Sequence, residues 1–222
     1  MLPNGQAAII DMAVRAVGDP LVTRHRRTLV LGALREDVGY IPGAGIIFQC
    51  LSLTHFYKPG LPGGLVPFLT LGPRWRANRL VAAAVEAHHG GLEAAAFVRL
   101  GHAAHLLVDM ACPVHAHRTV HMIDDPYEWY VEGHAAALRA LPAVAWPDRP
   151  RASDLVEELA RFAQAFAPDS THSPWGRLLR RAGARTALTT STIAEQARQL
   201  IPAAAGATAA LLRLFLREAR AR

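Results

Sequence analysis

Lysine is almost missing from this chain. All but one of its 24 basic residues are arginine, the exception being Lys58, and they outnumber 18 acidic residues for a net charge of +6. That balance permits attraction to phosphate-bearing surfaces, whether lipid or nucleic acid. The densest cluster, Arg177, Arg180, Arg181 and Arg185, falls in a helical pattern and reads as a solvated helix face. Cysteine is scarce as well. Cys50 and Cys112 are the only two, which excludes a disulfide framework. Both are read as small buried hydrophobes, with a single bridge as the alternative. The most apolar stretches, near 92–112 and 200–216, are broken by Glu, Arg, His or Asp. None is therefore expected to supply the roughly 18 apolar residues of a membrane span. The N-terminal MLPNGQAAIIDMAVRAV lacks the basic start and small-residue cleavage site of an export signal. Alternating β-branched strands, internal repeats and low-complexity linkers are missing too.

What is present is helix. Ala and Leu dominate, and both favour it. The chain is 51% hydrophobic with a mean hydropathy of +0.14, which fits a compact core. Apolar residues recur with helical spacing over about 6–17, 23–38, 76–88, 92–111, 126–140, 153–166, 175–199 and 203–220. The expectation is an all-α fold, a single-domain multi-helix bundle over 1–222. Two regions read as loops from their Gly and Pro content, 39–75 and 141–152. The first is long for a compact domain, and loops of such length are often functional. After the second, Asp154 and Glu157 have capping-box spacing for a new helix.

One apolar helix carries too many polar groups for mere packing. In LGHAAHLLVDMACPVHAH, residues 100–117, stand His102, His105, Asp109, His115 and His117. His105 and Asp109 are four apart and share a helix face. Pro113 ends or kinks the helix, and His115 follows on chain that can turn back to that face. Imidazole and carboxylate both suit zinc, and a carboxylate buried in such a segment needs a partner. A hydrogen-bonded His–Asp pair would satisfy it, and so would a shared cation. Upstream, Asp37 ends a helical pattern and His55 sits in THFYKPG. Downstream, in DDPYEWY, Asp125 can cap a helix with Pro126 first and Glu128 as box partner. Alternatively Glu128 and Asp124 join His115 on a second ion, with His121 a competing ligand.

Taken in order, GALREDVG, the HFY loop, GHAAHLLVDMACPVHA and DDPYEWYVE resemble the zinc-dependent phospholipase C family, which is related to the single-strand-specific zinc nucleases. The spacing of His105, Asp109 and His115 matches the family pattern, and the closing LIPAAAGATAALLRLFL is similar to its last helix. The resemblance implies an all-helical protein with two or three zinc ions between its helices. Asp37, His55, His105 and Asp109 would hold the first zinc, with Asp109 bridging to a neighbour. His115, Glu128 and either Asp124 or His121 would hold another. The family completes its bridged site with an N-terminal Trp and an early His, where this chain has Met1 and Gln6, and glutamine is a poor zinc ligand. The family also has His at the position of Asp124, and its members are usually exported.

The implied activity is phosphodiester hydrolysis by metal-activated hydroxide, with Asp37 orienting or deprotonating the water. The implied substrate is a phospholipid headgroup linkage. The alternatives are a zinc nuclease or other phosphodiesterase acting on nucleic acid, and a non-catalytic helical protein with a partial metal site.

Overall fold

The computed structural model describes residues 1–36, 55–64, 71–119, 125–169 and 187–221, together with the backbone of 38–41 and 45–48. Asp37, His121, Asp124, Cys50 and the arginine cluster at 177–185 lie outside the described side chains. The fold is all-α with one small ribbon. The helices are α1 (Pro3–Val17), α2 (Pro20–Arg24), α3 (Arg26–Arg35), α4 (Pro73–His89), α5 (Glu93–Met110), α6 (Pro113–Ala116), α7 (Pro126–Arg139), α8 (Ala152–Ala163) and α9 (Thr190–Ala219). Between α3 and α4, β1 (Val38–Ile41) pairs antiparallel with β2 (Gly45–Phe48), Val38 facing Phe48 and Ile41 facing Gly45. Apart from Val38, which ends the helical pattern expected over 23–38, this ribbon falls inside the region read as loop. Four-residue strands are too short to register as an alternating pattern.

Many starts follow sequence chemistry. Proline opens α1, α4, α6 and α7, where its missing N–H is an orphan anyway. Gly18 closes α1 at φ 65°, a left-handed cap that glycine adopts without strain. Three boundaries depart from the pattern. The helix expected over 23–38 divides at His25, whose ring stacks on Phe97 at 4.4 Å and whose Nε2 meets Glu93 at 3.0 Å. Asp154 does not cap α8. Arg151 takes that position with an extended backbone, and Asp154 accepts from its guanidinium. Finally, α9 runs unbroken through Pro202, where two helices were expected. Proline removes one helical hydrogen bond, but the helix around it is buried. By length and composition α9 could cross a membrane, yet 89% of its apolar window lies inside the fold, as in a core helix.

At the centre lies α5, packed by α3, α4, α8 and α9 and touched by α1. Its contact with α3 is backbone on backbone. A Cβ on Gly101 would overlap the Leu29 carbonyl, and one on Gly32 the Val98 carbonyl. Two glycines at the crossing bring the end of α3 against the histidines of α5. On the other side, Glu132 of α7 accepts from the backbone nitrogens of Asn4 and Gly5, at 2.8 and 3.1 Å. A carboxylate at a helix N-terminus is favoured by the dipole, and here it pins the start of α1 beside α7. Asp11, buried in α1, pairs with Arg26 and Arg139.

Helix propensity alone favours Gly101→Ala by about 0.5–1 kcal/mol. Overlap with α3 should override this and lower stability by roughly 1–3 kcal/mol, read as a reduced midpoint in urea denaturation.

Candidate metal centre

At the C-terminal end of α5, Asp109 is 1% exposed. Its Oδ2 lies 3.0 Å from His55 Nδ1 and 3.1 Å from His105 Nε2. Its Oδ1 accepts from the Met1 nitrogen at 3.0 Å. That nitrogen also lies 2.8 Å from Glu128 Oε1, which stands 3.5 Å from His115 Nε2. The structure thus gathers five of the residues singled out in the sequence, His55, His105, Asp109, His115 and Glu128, all buried. Their donor atoms form two groups, His55 with His105 and Asp109, and Cys112 with His115 and Glu128, each within 4.8 Å. Asp37, Asp124 and His121 belong to the same expected set, but they lie outside the described residues.

Local structure explains the aim of each side chain. His105 and Asp109 are one helical turn apart on the face of α5 turned inward. Pro113 starts α6, and the short turn it opens carries His115 back toward α5. Segment 55–57 lies across α6. Tyr57 N–H donates to the His115 carbonyl at 3.2 Å, and the Phe56 ring stacks on that imidazole at 4.8 Å. In α7, Asp125 caps the helix by accepting from Glu128 N–H at 3.0 Å. The Glu128 carboxylate turns to Met1 and His115. Cap and inward acid coexist on neighbouring turns.

Partners outside the groups fix the tautomers. Gln6 donates from Nε2 to the Met1 carbonyl, so its Oε1 faces His105 Nδ1 at 3.1 Å. An amide oxygen only accepts, so Nδ1 donates to it and Nε2 is the nitrogen turned inward to Asp109. The His55 carbonyl does the same for His115, accepting from Nδ1 at 3.3 Å. Orientation of an inward nitrogen through the outer one is the usual support of a metal-binding histidine. Gln6, a poor ligand by itself, acts here as an orienter.

Two residues emerge that the sequence reading passed over. Glu36, next to Asp37, is buried, with Oε2 2.6 Å from His102 Nδ1 and Oε1 2.6 Å from Arg76 and 3.8 Å from His55 Nε2. Only its place at the end of α3, one residue from the expected acid, could have flagged it. Cys112, read as a small hydrophobe, has its thiol in the second donor group.

Burial opposes charge throughout, and the neighbours decide the outcome. Burial would raise the Asp109 pKa, but His105, the Met1 amine and His115 hold it well below the carboxylate range. Burial would lower the His55 pKa, but Asp109 and Glu36 raise it. Asp125 is pushed up to about 7, by burial and then by Glu128. Burial would raise Glu36 as well, yet His102, His55 and Arg76 bring it from 4.5 to about 2. At about 1.4 kcal/mol per unit, that depression is worth on the order of 3 kcal/mol. A carboxylate depressed on folding stabilises fully above its unfolded pKa of 4.5 and loses this as pH falls toward about 2. Glu36→Gln should flatten that acid limb in denaturation measured across pH.

A separate cavity of about 530 Å³, reached from the segment that carries His55, is lined by Tyr57, Arg74, Trp75, Glu157 and Arg161, among others. Glu157 accepts from Tyr57 and Arg161 and pairs with Arg74 at 3.2 Å, instead of boxing the start of α8.

No protein-family model matches the sequence, and no curated protein matches it. Solved structures do. The whole chain superposes on the alpha-toxin of Clostridium absonum with a TM-score of 0.71 at 17% identity, and on an alpha-toxin from an avian strain of Clostridium perfringens with 0.68 at 13%. It spans 67% and 65% of those chains. In its backbone architecture, this chain has the fold of these clostridial alpha-toxins over the part of their length it spans, the all-helical fold that the motif resemblance implies.

Proposed function

We propose that this protein is a zinc-dependent phosphodiester hydrolase of the phospholipase C type, with 1–222 acting as a single domain. The observation that carries the reading is the pair of buried donor groups meeting at Asp109. Nitrogen, oxygen and sulfur donors at such separations suit zinc in type. The two described donor groups each fit one ion, and such ions would offset the charge of the buried carboxylates. His55, His105 and Asp109 would hold the first, with Asp37 or the neighbouring Glu36 as the further acid. His115 and Glu128 would hold the second, joined by Asp124 or His121. Asp109, whose Oδ2 lies 3.0 and 3.1 Å from His55 and His105 and 4.0 Å from His115, would be shared between the two.

When bound, such ions lower the pKa of water toward neutrality and offset charge on phosphate oxygens. The chain's own contribution is placement. Gln6 and the His55 carbonyl hold two imidazoles in the ligating tautomer. Arg76 and His102 clamp Glu36 in its ionised form. Asp37 would take the proton of the attacking water. Phe56 covers His115 and keeps bulk solvent off that side. The cavity beyond Tyr57 offers Arg74, Arg161 and the half-exposed Trp75 to a substrate with an anionic phosphate and an apolar portion. That chemistry fits a phospholipid.

Two measurements test the reading. Native mass spectrometry of metal-replete protein should find at least one zinc per chain, and less than one overturns it. Phosphatidylcholine should then be hydrolysed, with single-stranded DNA and a bis-aryl phosphate as comparison substrates. Turnover of DNA alone would make the enzyme a nuclease, and turnover of none would leave a non-catalytic protein. His105→Ala and Asp109→Ala should each abolish both metal retention and hydrolysis. Wild-type turnover in either variant would refute the assignment.

A further inference from the structure

We propose that Cys112 is a thiolate ligand of the second metal, so that the centre joins a sulfur-ligated ion to one held by nitrogen and oxygen alone. This rests on the metal reading above but is not implied by it. Neither the motif spacing nor the family resemblance gives Cys112 a role.

Three observations carry it. First, the thiol lies within 4.8 Å of the donors of His115 and Glu128, and it is wholly buried. Cys112 occupies the N-cap of α6, where its extended backbone (φ −93°, ψ 118°) makes the turn that returns His115 to the centre. One short segment therefore delivers sulfur and imidazole to the same point. Second, although Cys112 belongs to the buried apolar core, its thiol also has acidic neighbours. A structural cysteine prefers apolar neighbours, whereas this one meets Asp125 Oδ1 at 4.0 Å and feels the charges of Glu128 and Asp109. Third, two further buried polar atoms beside it, Asp125 Oδ2 and the Tyr127 hydroxyl, have no hydrogen-bond partner among the described residues. Asp125 is fully buried and Tyr127 nearly so. Unsatisfied polar atoms at that depth are uncommon and call for a missing partner. A cation at the Cys112, His115 and Glu128 donors would offset the acidic charge that now surrounds a neutral thiol.

The chemistry balances simply. On loading, the S–H bond breaks, the proton leaves to solvent, and a sulfur–metal bond forms. A divalent ion of borderline softness is implied, zinc or cobalt rather than magnesium or calcium.

Cobalt(II) tests this without any activity assay, because thiolate ligation gives a sulfur-to-metal charge-transfer band in the near ultraviolet. Cobalt-loaded wild-type protein should show the band. Cys50→Ser should keep it, since Cys112 is then the remaining thiol. Cys112→Ser should lose it wholly and hold one cobalt at least ~10-fold more weakly, given that even outer partners of a ligand are worth that much. Cobalt binding without the band in wild type or in Cys50→Ser overturns the proposal and leaves the metal reading intact. So does a band that survives Cys112→Ser. Failure of the protein to bind cobalt or zinc at all overturns both. The Cys50→Ser spectrum decides the matter even if position 112 tolerates no substitution.

Discussion

A carboxylate with almost no access to water organises this molecule. Asp109 sits at the end of the central helix, and leaving such a group unpaired in the interior costs several kcal/mol. The surrounding elements converge on that constraint. The start of α1 brings the Met1 nitrogen, α5 itself brings His105, segment 55–57 brings His55, and the turn of α6 brings His115. None of these elements is fixed by that contact alone. Gly32 and Gly101 set the distance of α3, and Glu132 ties α1 to α7. The centre is polar, but its scaffold is ordinary apolar packing around α5 and α9.

A second theme is the separation of inward and outward duties. His105 and His115 each give one ring nitrogen to an acceptor outside the donor groups and keep the other for the centre. Glu36 faces His55 from the other side, braced by Arg76 and His102. On α7 the division falls between two residues, Asp125 capping the helix and Glu128 turning inward. Such supports fix the orientation of the inward-facing atoms. The same logic makes Gln6 intelligible. Gln6 links α1 to α5 through His105.

Much of the fold was legible because helical periodicity is a local signal. The patterns over 76–88, 92–111 and 126–140 correspond to α4, α5 and α7 within a few residues. Signals that failed were those in which tertiary context overrides local preference. Pro202 reads as a break, yet burial carries α9 past it. His25 reads as helix interior, yet its stacking on Phe97 marks a division. Asp154 and Glu157 have capping-box spacing, yet Glu157 is drawn to Tyr57, Arg74 and Arg161 from other elements.

The same division runs through the centre. Sequence by itself determined that His105 and Asp109 share a face, that Pro113 turns the chain before His115, and that Asp125 and Pro126 begin a helix, because each depends on residues within one or two turns. Only the tertiary structure decided that Glu36 reaches His55, that Gln6 orients His105, and that the Cys112 thiol faces His115 and Glu128. Those contacts join segments that helix packing alone brings together, and no spacing along the chain encodes them.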